Sequence, residues 1–314
     1  MKSYHLLLLA ALALPLGAAT PKHGDTWVIG MSQCNLGEPW RVQMNADIAK
    51  AAGGHPELKV IFKDAQNDTL TQVSQIEEFI NADVDLLIVS PKEAAPLTSP
   101  IAEAYRKGIP VIVLDRKVLG EEFTEFIGAD NRKIGEAAGD WVRKRLAELP
   151  KVKAGGKARI VELEGLMTST PGQDRHAGFR AALKNAPVDF VFVADMKWLE
   201  PSARTEMESA LAVNEQIDLV YAHNDPGAHG AYLAAKAAGR EKEILFVGID
   251  GLPQEGRAYV QEGILSACFE YPTGGQEAIE SALRVLKGET VPKVVTLGSR
   301  VFTPENITHG GDPL

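Results

Sequence analysis

The chain has 314 residues, 45% hydrophobic and 24% charged, enough apolar material for sizeable cores and, at this length, for two domains rather than one. That composition excludes a disordered chain, and a formal charge of −9 at pH 7 excludes an electrostatic grip on nucleic acid or an anionic membrane. With only Cys34 and Cys268 present, far apart in sequence, the fold is no disulfide framework, and the two residues read as small, mostly buried thiols.

At the N-terminus, Lys2 is followed by an uncharged run that contains Leu6-Leu7-Leu8-Leu9 and ends in Gly17-Ala18-Ala19. This is the pattern of a secretory signal peptide over residues 1–19, shorter than the roughly 20 apolar residues of a spanning helix. No cysteine closes the run, so a lipid anchor is not expected. Removal of Lys2 takes the mature charge from −9 to −10, and a periplasmic location is the expectation.

From there, β-branched runs alternate with helical patterns, the signature of an α/β fold built on parallel sheets. The expected strands are Trp27–Met31, Leu58–Phe62, Leu86–Val89, Val111–Leu114, Ala158–Leu163, Phe190–Ala194, Leu219–Ala222, Ile244–Gly248 and Leu265–Phe269. Helices are expected at Thr69–Asn81, Asn131–Leu149, Pro171–Lys184, Pro226–Ala238 and Gln276–Leu286. Thr170 before Pro171, and Asp225 before Pro226, read as caps followed by a proline in the first turn. The segment 149–157 reads as a surface loop, and Ile127-Gly128-Ala129-Asp130-Asn131 as the first crossing between domains.

In parallel α/β sheets ligands gather outside the carboxyl ends of the strands, and the residues at those ends are consistently polar. The first strand runs into Ser32-Gln33-Cys34-Asn35 and then Glu38, Trp40 and Arg41; the third ends at Ser90, the fourth at Asp115-Arg116. In the second half come His223-Asn224-Asp225, Asp250-Gly251 and Glu270. Carboxylates that accept, beside guanidinium and amide groups that donate, match a polyhydroxylated ligand, and Trp40 and Trp198 offer plates for its C–H face.

Plainer roles remain open for several of these. Asp115-Arg116 also fits a solvated loop, Asp250 a turn, and Asn224-Asp225 a helix cap. His223 and His229 lack a third ligand at matching spacing, so no metal is expected. Gly156-Lys157 lacks the upstream glycine of a phosphate loop, and Gly30-Met31-Ser32-Gln33-Cys34 lacks the second glycine of a nucleophile elbow.

The residues resemble the periplasmic sugar-binding proteins of the ribose and galactose type, most of all the galactofuranose-binding kind that serves bacterial ABC importers. The resemblance runs from about Trp27 to Phe302. It rests on Gly30-Met31-Ser32-Gln33 with Glu38 and Trp40-Arg41, on Leu114-Asp115-Arg116 and Ala129-Asp130-Asn131, and on Asp174-Arg175 with Gly178-Phe179. Tyr221-Ala222-His223-Asn224-Asp225 and Gly248-Ile249-Asp250-Gly251 complete it. Departures fall at Cys34 and Asn35, and at Phe269-Glu270-Tyr271-Pro272, which is closer to the ribose type.

The resemblance implies two Rossmann-like lobes, 20–129 with 271–296 and 130–270 with 297–314, joined by a three-segment hinge. It implies a sugar cleft lined by Glu38, Trp40, Arg41, Ser90, Asp115, Arg116, Arg175, Asn224, Asp250 and Glu270, with Trp198 a looser addition. No cofactor, metal or catalytic residue is expected, and the chain is expected to act as a monomer. Its expected partner is the membrane permease of an ABC transporter or, alternatively, a chemoreceptor or histidine kinase. An enzyme acting on carbohydrate through paired carboxylates among Glu38, Asp115, Asp250 and Glu270 is the third reading.

Overall fold

The computed structural model describes residues 20–314, so the expected signal peptide lies outside the described residues. The first half of the chain runs β1 (Trp27–Gln33), α1 (Pro39–Ala52), β2 (Leu58–Asp64), α2 (Thr69–Asn81), β3 (Leu86–Ser90), α3 (Ala94–Arg106), β4 (Val111–Leu114), β5 (Glu125–Ala129). The second half begins with α4 (Asn131–Leu146), α5 (Pro150–Lys153), β6 (Ala158–Glu164), α6 (Thr170–Ala182), β7 (Val188–Asp195), α7 (Glu200–Val213) and β8 (Leu219–Ala222). It continues through α8 (Asp225–Ala237), β9 (Leu245–Asp250), α9 (Gly256–Gln261), β10 (Ala267–Glu270), α10 (Gly275–Leu286), β11 (Val294–Leu297), β12 (Arg300–Phe302) and β13 (Asp312–Pro313).

Two sheets result. One has the order β2-β1-β3-β4-β5-β11 and is parallel throughout; the other has the order β7-β6-β8-β9-β10-β12-β13, with β12 and β13 antiparallel. The first five strands of each sheet therefore repeat one doubly wound order, whose reversal leaves a crevice at the carboxyl ends. The chain passes from the first sheet to the second after Ala129, returns after Glu270, and crosses again between Leu297 and Arg300.

Burial explains the strands. Every residue of β3 and β4 is buried, as befits central strands covered on both faces, whereas the edge strand β2 carries partly exposed Ile61 and Phe62. In the first lobe, Ile76, Phe79, Leu97 and Ile101 of α2 and α3 cover one sheet face, and Met44, Ile48, Ile279 and Leu283 of α1 and α10 cover the other. In the second lobe, Ile134 and Phe179 of α4 and α6 pack opposite Met207 and Ala231 of α7 and α8.

Several expectations are corrected. The segment read as the first crossing, 127–131, does carry it, but it opens on the last three residues of strand β5, buried between β4 and β11. The loop expected at 149–157 holds the short helix α5. Helices α1, α3 and α7 and the short strands β11, β12 and β13 were not expected; their stability comes from packing and pairing rather than from a local pattern. Asn224, not Asp225, caps α8, its Oδ1 accepting from Gly227 N at 2.9 Å. Thr170 begins α6, and its Oγ1 accepts the Lys117 amide of the other lobe at 3.1 Å.

Helices α4 and α6 approach so closely that only glycine fits between them. A Cβ added at Gly135 would lie 2.4 Å from the Arg175 carbonyl oxygen, and one at Gly178 would lie 2.2 Å from that of Arg132. This contact fixes the height of α6, and with it Arg175. Gly135→Ala should therefore cost roughly 1–3 kcal/mol of stability, the usual price of overpacking. Thermal melts followed by circular dichroism would report a lower Tm, and an unchanged Tm would show that the two helices separate freely.

Candidate functional site

The carboxyl ends of the two sheets face each other, and between them lies a narrow cavity of about 20 Å³ lined by Glu38, Trp40, Arg41, Asp115, Arg116, Pro171, Arg175, Trp198, Asn224, Asp250 and Tyr271. That is room for about one water, far below the roughly 300–1,000 Å³ of pockets that hold drug-sized ligands, so a larger ligand enters only if the two walls part.

On the first-lobe side, Asp115 is the node. It follows β4 and is buried; Arg41 donates through one terminal nitrogen to Asp115 Oδ2 at 2.5 Å and to Ser90 Oγ at 2.7 Å. Arg116 Nε lies 3.7 Å from the same Oδ2, and the Tyr271 hydroxyl donates to Oδ1 at 2.7 Å. Burial alone would raise the Asp115 pKa, but Arg41, Arg116 and the Tyr271 hydroxyl outweigh it and hold the carboxyl below its ordinary value. Arg41 also reaches Glu38 Oε2 at 3.7 Å, and Glu38 Oε1 accepts from Asn35 Nδ2 at 2.7 Å.

The network continues through residues of the crossings into the second lobe. Asn131 Nδ2 donates to the Tyr271 hydroxyl at 3.3 Å while its Oδ1 accepts from Arg175 Nε at 2.9 Å. Arg175 also donates to the His223 carbonyl and lies 3.7 Å from Asp250 Oδ1. Asp250 is pushed well above the ordinary carboxylate range, by burial first, with Asp225, Glu255 and Glu38 adding to the rise and Arg175 opposing it. Asn224 bonds within the protein, its Nδ2 donating to the Trp198 carbonyl at 3.0 Å.

Aromatic rings complete the lining. Trp40 stacks on Tyr271 with ring centroids 5.1 Å apart and donates from Nε1 to the Tyr271 carbonyl at 2.7 Å. Opposite it, the Trp198 ring carries the guanidiniums of Arg116 and Arg175 at 5.6 and 5.3 Å. Asp115, Trp198 and Asp250 all hold positive φ, at 70°, 67° and 136°. Such backbone costs on the order of 1–3 kcal/mol per residue and collects where function demands it. Among the described residues, Arg41 Nε, Arg116 Nε and Trp198 Nε1 are buried donors without a hydrogen-bond partner, and all three belong to residues lining the cavity.

Behind the second-lobe wall runs a histidine–carboxylate chain. Gly165 N donates to His223 Nδ1 at 3.1 Å, leaving Nε2 to face Glu162 Oε1 at 3.3 Å as the donor. Burial would raise Glu162, but His176, His223 and Arg180 bring its pKa down to about 2. Glu162, Glu164 and His176 place their ligand-type atoms within 4.8 Å of one another. Arg180 already bonds Glu162 Oε2 at 2.7 Å, so the cluster is a closed ion-pair network rather than an open cation cradle. His229 sits apart from it, paired with Glu200 at 3.0 Å.

Of the residues singled out in the sequence, the cavity brings together all but Ser90 and Glu270. Ser90 stands behind Arg41 as a support. Glu270 lies in a neighbouring crevice, tied to Arg257 at 2.7 Å, and the next residue, Tyr271, takes the place on the wall. Tyr271, Pro171 and the buried Asn131 were missed; Asn131 and Tyr271 each lie within two residues of a strand end at a crossing, the one signal that marks them. Both thiols are free and buried, Cys34 under the first-lobe arginines and Cys268 against Asp225 Oδ2 at 3.1 Å.

The sequence profile of the periplasmic binding protein domain matches residues 29–290. The ribose import binding protein of Bacillus subtilis (strain 168) is 30% identical over 305 residues, 96% of each chain. The galactofuranose-binding protein of Escherichia coli (strain K12) is 28% identical over 88% of each chain. Among solved structures, the fructose-binding periplasmic domain of a hybrid two-component system superposes with a TM-score of 0.84 at 40% identity, covering 90% of this chain and 92% of that one.

The Glu162 network has a definite pH signature. A carboxyl whose folded pKa lies below its unfolded value stabilises the fold above the unfolded value and loses that contribution as pH falls through the folded one. Unfolding free energy should thus decline between the ordinary glutamate range and pH about 2. Glu162→Gln should lower stability at pH 7 by roughly 3 kcal/mol and flatten that acid limb. Denaturant titrations at pH 7 and pH 3 measure both, and parallel acid limbs in the two proteins would refute the assignment.

Proposed function

The chain belongs to the periplasmic binding protein family, and from that premise we propose that it captures one neutral monosaccharide between its lobes and delivers it to the permease of an ABC importer. The observation that carries this is the set of unpartnered donors on Arg41, Arg116 and Trp198, together with the buried Asp250 carboxylate, around one small cavity between aromatic plates. Buried polar groups of this kind are expected to find a partner, and hydroxyls, which donate and accept, answer both needs at once.

Acids and bases pair on the lining, where the guanidiniums of Arg41, Arg116 and Arg175 meet the carboxyls of Glu38, Asp115 and Asp250. Burial pushes Asp250 towards its protonated form, in which it donates to a sugar hydroxyl as well as accepting from one. Binding rather than turnover fits the same pairing, because Asp115 is committed to Arg41 and Tyr271 and Glu270 to Arg257. The protein works as a periplasmic monomer, its lobes 20–129 with 271–296 and 130–270 with 297–314 hinging at the three crossings. A sugar that touches both lobes stabilises the closed arrangement, and the permease reads that shape.

Sensing is the second reading, drawn from the 40% identity to the fructose-binding domain of a hybrid two-component system. In that case the closed form docks to a receptor, with the same cleft chemistry.

A thermal-shift screen of residues 20–314 against neutral pentoses and hexoses should give a rise in Tm with at least one of them, since a ligand of the native state alone stabilises by mass action. In calorimetric titrations with that sugar, Asp250→Ala and Arg116→Ala should each cost about 2 kcal/mol or more, roughly 30-fold in Kd. Unchanged affinity in both would place the ligand elsewhere.

A further inference from the structure

The cavity has a neighbour. A crevice of about 550 Å³ opens between α1 and α10 on one side and the loop after β9 on the other, and only Asp250 and Tyr271 line both spaces. The crevice is lined by polar side chains paired with one another, Gln43 with Asp47, Arg257 with Glu270 and Gln276 with Glu280, each of which keeps further donor or acceptor positions for sugar hydroxyls. Of these two shared residues, Asp250 and Tyr271, Tyr271 has the bulkier side chain.

Tyr271 is held on every side. Its ring stacks on Trp40 at 5.1 Å, the Arg175 guanidinium lies 4.5 Å from its centroid, and its hydroxyl bonds Asp115 and Asn131. Its own carbonyl takes the Trp40 Nε1 proton. A buried side chain with both ring and hydroxyl engaged cannot swing aside for a second sugar ring without breaking the contacts that balance Asp115.

We propose that Tyr271 is the residue that restricts the cleft to a single sugar ring, and that the crevice behind it becomes a second sugar subsite when this side chain is shortened. The proposal rests on the monosaccharide reading of the cavity. Specificity of this sort is exclusion: the wall rejects a disaccharide whose first ring would otherwise be accepted.

The test compares the wild-type protein with Tyr271→Ala, Tyr271→Leu and Tyr271→Phe by calorimetric titration against D-fructose, D-ribose, D-galactose, L-arabinose, sucrose, lactose and maltose. The wild type should bind a monosaccharide and no disaccharide. Tyr271→Ala should bind its monosaccharide about 10-fold or more weaker and gain measurable affinity for at least one disaccharide. Tyr271→Leu carries the same expectation where the alanine variant does not fold, as judged by circular dichroism. Tyr271→Phe, which keeps the ring and loses the hydroxyl, should still exclude every disaccharide.

Folded alanine and leucine variants that keep a monosaccharide and still reject all disaccharides overturn the wall and leave the monosaccharide reading standing. Disaccharide binding by the wild type or by Tyr271→Phe overturns it as well. A wild type that binds none of the seven sugars overturns the monosaccharide reading itself, and the wall with it.

Discussion

A carboxylate removed from water has to be neutralised where it stands, and Asp115 is the point at which this molecule meets that demand. Arg41 at 2.5 Å, Arg116 at 3.7 Å and the Tyr271 hydroxyl at 2.7 Å together outweigh the cost of its burial. Each partner then has to be placed: Arg41 by the start of α1, Arg116 by the end of β4, Tyr271 by the return crossing. Asn131, at the outward crossing, carries the chain of hydrogen bonds on to Arg175. The site and the hinge are therefore one polar network, in which, among the described residues, Arg41 Nε and Arg116 Nε are the donors left without a partner.

The repeated strand order explains why two carboxylates face the same cavity with opposite character. Asp115 follows the fourth strand of the first sheet and Asp250 ends the fourth strand of the second, both with positive φ. Two guanidiniums and a hydroxyl hold Asp115 down. Asp250 has a single guanidinium at 3.7 Å and faces Asp225, Glu255 and Glu38, so burial pushes it up. The second carboxyl is the one left needing donors, and the cavity is where they would come from.

Much of this was legible in the residues, for a physical reason. Buried parallel strands read as continuous β-branched runs, and the polar residues at their carboxyl ends mark the ligand side without any structure. Glu38, Trp40, Arg41, Asp115, Arg116, Arg175, Trp198, Asn224 and Asp250 all follow from that logic together with the family resemblance, and the cavity gathers them. What escaped was set by tertiary contact. Tyr271 reads as one more apolar residue of the hinge segment until Trp40, Arg175 and Asp115 surround it. Glu270 looks like a better ligand by type, yet Arg257 claims it. The strands β11, β12 and β13 are two to four residues long and have no pattern apart from their partners.

The central claim, that the ligand lies between the lobes against Trp40 and Trp198, is tested most directly by tryptophan emission. The chain has four tryptophans, and Trp27 and Trp141 are not on the cavity lining. Titration with a sugar that stabilises the protein should give a saturable change in emission that survives Trp27→Phe and Trp141→Phe and vanishes when Trp40 and Trp198 are both replaced by Phe. A signal that persists in that double variant would put the ligand somewhere else on the molecule.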